Sequence, residues 1–162
     1  MNYLTTKSTA ALSDISQKLE LGRRGEELAA AYLQQVGYRI VATNFSLPVG
    51  RNRLGVPINV EIDLVAYQGE TLCFVEVKSR ASDWFAPPQV NVDRRKQRQI
   101  ARAARAYRRM FGLVGEPCRY DVITIVFGEE ADARVPPQIE LLRSYWTEDQ
   151  LRKRTWSDRY YD

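Results

Sequence analysis

Two carboxylates and a lysine lie in neighbouring apolar segments of the chain, in a pattern that could bind a divalent metal ion. The segments span residues 61–65 and 74–78, and each is typical of a β-strand whose side chains alternate between two faces. Asp63 lies on one face of the first segment, and Glu76 and Lys78 share a face of the second. A bare charge beside an apolar core is costly unless it is paired or bound to a metal. The arrangement therefore predicts a metal site.

The turn between the two segments sets how close the acids come. A two-residue loop over 68–69 would place Asp63 opposite Phe74, with Glu76 as its diagonal neighbour at about 7–8 Å. Two carboxylates at that separation can converge on one cation. The alternative is a hairpin with a solvated polar face, on which Lys78 only neutralises a neighbouring glutamate.

The residue types suit phosphate chemistry. Magnesium prefers hard oxygen ligands and is usually held by one or two carboxylates together with substrate phosphates. A bound ion can lower the pKa of a water and stabilise charge on a phosphate under attack. A nearby lysine can hold a phosphate or orient the attacking water. Mg2+, or Mn2+ in its place, is the expected cofactor.

The composition excludes several kinds of enzyme. The chain of 162 residues has no histidine, so Ser-His-Asp triads, Cys-His nucleophiles and Cys/His zinc sites are excluded. A hydrolase of this composition must work with carboxylates, lysine and metal. Its 44% hydrophobic and 27% charged content is ordinary for one soluble domain.

The compartment follows from what the sequence lacks. No apolar run approaches the roughly 20 residues of a membrane helix, and residues 1–11 lack a secretory pattern. Cys73 and Cys118 lie in or beside apolar segments and are expected to be reduced thiols. We therefore expect a cytoplasmic protein without a membrane partner.

The order of elements predicts an α/β fold, a mixed sheet flanked by helices in the order α-β-β-β-α-β. The expected elements are a helix over 13–36, a strand over 38–42, a loop over 44–59, a hairpin over 60–79, a helix over 93–111, strands over 120–127 and 138–142, and a short helix over 148–154. Residues 1–12 are expected to be a loose tail, 13–142 the main domain and 143–162 a C-terminal extension.

The helix expected over 93–111 is strongly basic. It carries eight positive charges and no acid between residues 94 and 109: Arg94, Arg95, Lys96, Arg98, Arg102, Arg105, Arg108 and Arg109. Such charges bind nucleic-acid phosphates without reading sequence. The alternatives are a solvated outer face and a membrane-surface helix, for which the alanine-rich apolar stripe lacks bulky leucines. Nucleic acid is the predicted partner.

Gly22 and Gly25 interrupt the first helix, where each costs about 1 kcal/mol relative to alanine. A close backbone approach, to a packed strand or to a phosphate, could offset that cost. The adjacent Glu26 is by itself an ordinary exposed helix acid.

Several motifs recur here in a particular order. They are Gly22-x-x-Gly25-Glu26-x-x-Ala29, Tyr32-Leu33-x-x-x-Gly37-Tyr38, Asn44, Glu61-Ile-Asp63-Leu-Val, Phe74-Val-Glu76-Val-Lys78-x-Arg80, Lys96-Gln97-Arg98, Ala104-x-x-Tyr107 and Arg119-Tyr-Asp121-Val. Together they resemble the PD-(D/E)xK nuclease superfamily. Within it they look most like the YraN-like family, which is related to archaeal Holliday-junction resolvases. The resemblance covers about residues 19–127.

The resemblance implies a restriction-endonuclease-like core, so that 13–142 would be a nuclease-like domain. It implies Asp63 and Glu76 as metal ligands, Lys78 as the residue that places or activates water, and Glu26 as a further ligand reaching in from the first helix. Three departures are visible: Val60 stands where the family usually has glycine, the segment between Asn44 and Glu61 is longer than usual, and the C-terminal region lacks a histidine often found there.

These features favour a Mg2+- or Mn2+-dependent endonuclease that acts on DNA, with branched or single-stranded DNA as the expected substrate. The expected contacts to the nucleic acid are Arg23, Arg24, Arg51, Arg53, Arg80, Arg95, Lys96, Arg98 and Arg102. The alternatives are a non-cleaving nucleic-acid-binding protein of the same fold and an interaction protein whose basic face meets an acidic partner. A homodimer would suit a two-fold junction, with Trp84, Phe85 and the segment 146–161 as candidate surfaces.

Overall fold

The computed structural model of the protein describes residues 5–81, 92–128 and 136–152, with side chains described from Asp14 onward. Within these ranges the chain forms helices α1 (Thr5–Gln35), α2 (Arg94–Met110) and α3 (Glu148–Leu151) and strands β1 (Arg39–Arg51), β2 (Pro57–Gln68), β3 (Thr71–Arg80), β4 (Cys118–Val126) and β5 (Gln138–Trp146). The strands make one five-stranded sheet in the order β1-β2-β3-β4-β5. The predicted α/β fold, a mixed sheet flanked by helices, is confirmed, and it is consistent with a restriction-endonuclease-like core.

The sheet is covered on both faces. β3 and β4 run parallel, and the other neighbours pair antiparallel. On one face, α2 packs Ile100 and Tyr107 against Phe74 of β3. On the other, α1 packs Ala29 and Leu33 against β2, β3 and β4. Because both of their faces are buried, β3 and β4 are nearly continuous apolar runs, and a charge within them stands out.

The hairpin between β2 and β3 is shifted from the predicted register. The turn is Gly69-Glu70, with Gln68 paired to Thr71, so Phe74 faces Val65 rather than Asp63. Gly69 has φ +58, a value that two-residue hairpin turns with glycine at their first central position require. Glycine is therefore the first residue of the turn and not the second, which moves every pair by two positions.

The predicted loop over 44–59 is wrong over most of its length. β1 continues to Arg51 and pairs with β2, which begins at Pro57. Pro48 lies inside β1, which is an edge strand, and the register of β1 shifts just after Pro48. Edge strands and bulges tolerate proline, which has no N–H to donate to a ladder.

Other boundaries also move. α1 begins at Thr5, inside the segment predicted as a loose tail, and β5 continues to Trp146, past residue 142. Trp146 is only 2% exposed, so it packs in the core and does not form a docking surface. Trp84, Phe85 and residues 153–161 lie outside the described ranges.

Two expectations from composition can be compared with the structure. Cys73 and Cys118 are free thiols, as predicted, the first buried and the second half-buried. None of the helices in the described part of the chain is both long and apolar enough to span a bilayer.

Candidate active site

Asp63 and Glu76 meet at the point where β2 leaves β3. Leu64 and Val75 are the last paired residues of the two strands, and the next positions along the same register are Asp63 and Glu76. Facing residues of antiparallel strands lie about 4.5–5.5 Å apart at Cα. Asp63 Oδ2 accepts a hydrogen bond of 2.7 Å from the N–H of Val77. The register shift thus makes the two acids direct neighbours where a diagonal pair was predicted.

Glu76 is a buried carboxylate with one satisfied oxygen. Its side chain is 2% exposed, and Oε1 accepts from Lys78 Nζ at 2.7 Å and lies 3.2 Å from Lys96 Nζ. Oε2 is buried and has no hydrogen-bond partner among the described residues. A buried oxygen without a donor carries a desolvation cost. Oε2 therefore keeps unused capacity to bind a cation or to accept a hydrogen bond.

The pKa of Asp63 reflects its burial and the nearby charge of Glu76. Burial, followed by the negative charge of Glu76, raises the pKa of Asp63 to about 7. The Val77 hydrogen bond and the positive charge of Lys96 oppose the rise, and the charge of Glu26 adds to it. Two adjacent carboxylates resist full ionisation unless a cation lies between them. A hard divalent ion matches this donor set.

Lys96, which is predicted to contact nucleic acid, pairs with Glu76 in the structure. It is 34% exposed and points from α2 toward the sheet, where it pairs with Glu76. Its helix face is that of Ile100, Ala103 and Tyr107, all of which are buried. The signal was present in the sequence, because Lys96 lies at helical spacing from these residues.

A cleft of about 690 Å3 opens between α1 and the end of β3, and Val77, the residue after Glu76, is part of its lining. Gly22 and Glu26 line it from α1, and Lys78 and Arg80 line it from β3. Among the described residues no three acids or cysteines lie close enough to hold one ion. Glu26 therefore shares the cleft with Lys78, while its predicted part in the metal shell stays a prediction.

The close approach inferred from the glycines of α1 is to a packed strand. A Cβ built on Gly25 would lie 1.7 Å from Ser79 Oγ, and one built on Gly22 would meet nothing within 4 Å. The contact between Gly25 and Ser79 holds α1 against β3 one residue away from both Glu26 and Lys78. Gly22, by contrast, lines the open cleft.

Replacing Gly25 with alanine is expected to destabilise the protein by about 1–3 kcal/mol, because the added methyl group overpacks this contact. The matched replacement of Gly22 meets open space and should stabilise α1 by up to about 1 kcal/mol. Urea unfolding of both variants measures the difference. Equal effects at the two positions would contradict this account of the contact.

The arginines of α2 form a basic stripe, which we define as Arg95, Arg98 and Arg102. All three are exposed on the outer side of the helix. The first turn of α2 contains no acid, although its helix dipole favours negative charge there. Arg95 lies in this acid-free first turn, and the side chain of Asp93 caps the helix by accepting from the N–H of Lys96 at 2.8 Å.

The two arginines of α1 that are predicted to contact nucleic acid have different neighbours. Arg23 pairs with Glu20 at 2.6 Å and also with Glu27, which offsets its charge. Arg24 lies over the ring of Phe127, 5.0 Å from its centre.

Two further arginines lie at the turn between β1 and β2. Arg51 donates to the carbonyl of Gly55 at 2.6 Å, and both Arg51 and Arg53 are exposed. Arg80 is exposed beside the cleft.

The region that contains these residues matches a known protein family. The model of UPF0102, described as an uncharacterised protein family, matches residues 25–125. That span contains Glu26, Asp63, Glu76, Lys78 and Lys96. A UPF0102 protein of Chlorobium chlorochromatii is 42% identical over 131 residues, covering 80% of this chain and 93% of that protein. A UPF0102 protein of Geobacter sulfurreducens is 45% identical over 105 residues, covering 65% of this chain and 74% of its own.

Proposed function

The chain belongs to the UPF0102 family, and we propose that it is a metal-dependent endonuclease of the PD-(D/E)xK type that hydrolyses DNA phosphodiester bonds. The observation that carries the proposal is Glu76. It is a buried carboxylate, beside a second carboxylate and between two lysines, with one oxygen left without a partner. Buried charges in a packed sheet are expensive, so such a cluster favours a functional explanation.

Asp63 and Glu76 are the residues that would hold the ion. When bound there, Mg2+ or Mn2+ would lower the pKa of a bound water and would place positive charge close to the scissile phosphate. Oε2 of Glu76 is the oxygen with free capacity. The hydrogen bond from Val77 fixes the orientation of the Asp63 carboxylate, leaving its other oxygen for the ion.

The two lysines have different parts. Lys78 lines the cleft and is 38% exposed, so its ammonium can leave Glu76 to hold a phosphate oxygen or to orient the attacking water. Lys96 approaches Glu76 from α2 and acts as a positioning residue that keeps Oε1 occupied. Glu26, on the opposite wall of the cleft, can accept a hydrogen bond from a water placed there.

DNA is the proposed substrate because the exposed arginines offer phosphate contacts. The basic stripe lies on the helix that also carries Lys96, and the chain has a formal net charge of +4. Contacts to phosphate position a substrate without reading its bases. We therefore propose selectivity for DNA structure, branched or single-stranded, over selectivity for sequence.

A non-cleaving nucleic-acid-binding protein is the second candidate. The observation that favours it is the ion-paired state of Glu76, whose charge Lys78 and Lys96 already offset. In that case binding to DNA would be unaffected by changes at Glu76, and no product would form.

The test is an incubation of the pure protein with labelled single-stranded, duplex, flapped and four-way-junction DNA in Mn2+. Cleavage is expected for the wild type and not for Glu76→Gln, and EDTA should stop it. Equal cleavage by both proteins would remove the proposed mechanism. Binding without cleavage by either protein would support the second candidate.

A further inference from the structure

The β1–β2 hairpin extends beyond the rest of the sheet. β2 pairs with β3 only from Leu64 to Gln68, whereas its pairing with β1 continues to Pro57. We call the two-stranded part over residues 45–62 the arm and its turn over 51–56 the tip. The base of the arm is packed, since Leu47 and Val60 are each 5% exposed and join the core. The tip is exposed at every residue.

Hydrogen bonds define the shape of the tip. Asn52 Oδ1 accepts from the N–H groups of Leu54 and Val56, each at 2.9 Å. The backbone closes the turn with bonds from Asn52 N–H to the Val56 carbonyl at 2.9 Å and from Gly55 N–H to the Asn52 carbonyl at 3.0 Å. Gly55 takes φ +78, which suits glycine. A turn fixed in this way loses little conformational freedom when it binds a partner.

The tip presents an apolar side chain in a basic setting. Leu54 is 87% exposed and Val56 is 53% exposed. Arg51 and Arg53 flank Leu54, and the sequence contains no acid between Glu27 and Glu61. The partner of this surface must therefore offer an apolar face next to negative charge. Nucleic-acid bases beside their phosphates meet both conditions, and leucine is among the residues that DNA-bending proteins insert between base steps.

We propose that the tip places Leu54 against the exposed base pair at a DNA branch or at a boundary between duplex and single strand, with Arg51 and Arg53 on the flanking phosphates. A continuous duplex hides its base faces by stacking, whereas a branch exposes one. The inference deepens the proposed function by naming the feature of DNA that is recognised, and it rests on that function only for the choice of DNA.

The experiment compares Leu54→Ser with wild type, using forked DNA that carries 2-aminopurine at the branch and a blunt duplex of equal length. Measurements in EDTA separate binding from cleavage. We expect wild type to prefer the fork and to raise 2-aminopurine fluorescence. Leu54→Ser should weaken fork binding about 10-fold, the scale of leaving one leucine side chain unburied, and leave duplex binding within about 2-fold. Val114→Ser removes another apolar side chain, which is 61% exposed at a different turn. This control variant should change neither fork binding nor duplex binding.

Equal weakening on fork and duplex, or no change on either, would overturn the proposal. So would a smaller assembly for Leu54→Ser in size-exclusion chromatography, which would mean that the tip binds a second copy of the chain. Leu54-dependent fork binding without any cleavage in Mn2+ would support this proposal while the proposed nuclease fails. Cleavage at the same rate by wild type and Leu54→Ser would support the proposed nuclease and contradict the proposed role of Leu54.

Discussion

Replacing Asp63 with asparagine is expected to abolish DNA cleavage and, at the same time, to make the protein more stable. Loss of a carboxylate proposed to hold the metal ion should lower the cleavage rate on the order of 10³-fold or more. The stability gain follows from the pKa of Asp63, which burial and Glu76 raise to about 7 from 3.8. Asparagine removes the half-buried charge and can still accept the hydrogen bond from Val77. We expect the free energy of unfolding to rise by about 2 kcal/mol, which corresponds to an increase of roughly 4–8 °C in Tm.

The pH dependence of this gain has a defined sign. The pKa of Asp63 is higher in the folded protein, so the wild type loses stability as pH rises from about 4 to about 7. The difference between Asp63→Asn and wild type should therefore be absent near pH 4 and complete above pH 7. Thermal melts at pH 4, 6 and 8 measure it.

Asp121 provides the matched control for this prediction. It is 0% exposed and fully partnered, accepting from Arg119 at 3.0 Å and from the N–H of Ser144 at 2.9 Å. Asp121→Asn should destabilise the protein by about 3 kcal/mol, because it disrupts a buried ion pair. Lower stability of Asp63→Asn at pH 8 would contradict our account of the site.

Replacing the three arginines of the basic stripe with glutamine is expected to weaken DNA binding on the order of 10²-fold near 0.1 M salt. Each phosphate contact contributes about 0.9 to the slope of log affinity against log salt on duplex DNA. The triple variant should therefore lower the slope by up to about 3. The stability of α2 should not fall, because the substitutions remove like charges that repel one another on the helix surface. Titrations by fluorescence anisotropy at several salt concentrations measure both quantities.

Arg23 gives a control on the other helix. Glu20 and Glu27 already offset its charge, so Arg23→Gln should change the slope by well under one unit. A slope that stays the same in the triple variant would exclude the stripe as a phosphate-binding surface. A circular-dichroism melt confirms that α2 remains folded.

The sequence predicted the order of elements because long apolar or amphipathic segments have clear periods. It failed where a single residue decided the outcome. The position of Gly69 in the turn moved the hairpin by two residues, and with it the relation of Asp63 to Glu76. The second half of β1 was predicted as a loop because residues 44–59 contain two prolines and two glycines. The effect of a proline depends on whether its strand lies at the edge of the sheet, which only the assembled sheet reveals.

The candidate site was predicted in its residue types and only partly in its geometry. Asp63, Glu76 and Lys78 come together as their strand positions indicated. Lys96 was predicted only as a contact to nucleic acid, although its position on the apolar face of α2 distinguishes it from the arginines of that helix. The orphan oxygen of Glu76 could not be predicted, because it depends on which donors the fold brings within reach.

The length of one strand has a consequence for any DNA held at both ends of the arm. β2 runs without interruption from Pro57, next to the tip, to Asp63, a path of six residues. At about 3.3 Å per residue this path measures about 20 Å, the rise of roughly six base pairs. For DNA that lies along the arm, a branch that rests on Leu54 would thus be cut at a fixed offset, set by the length of β2.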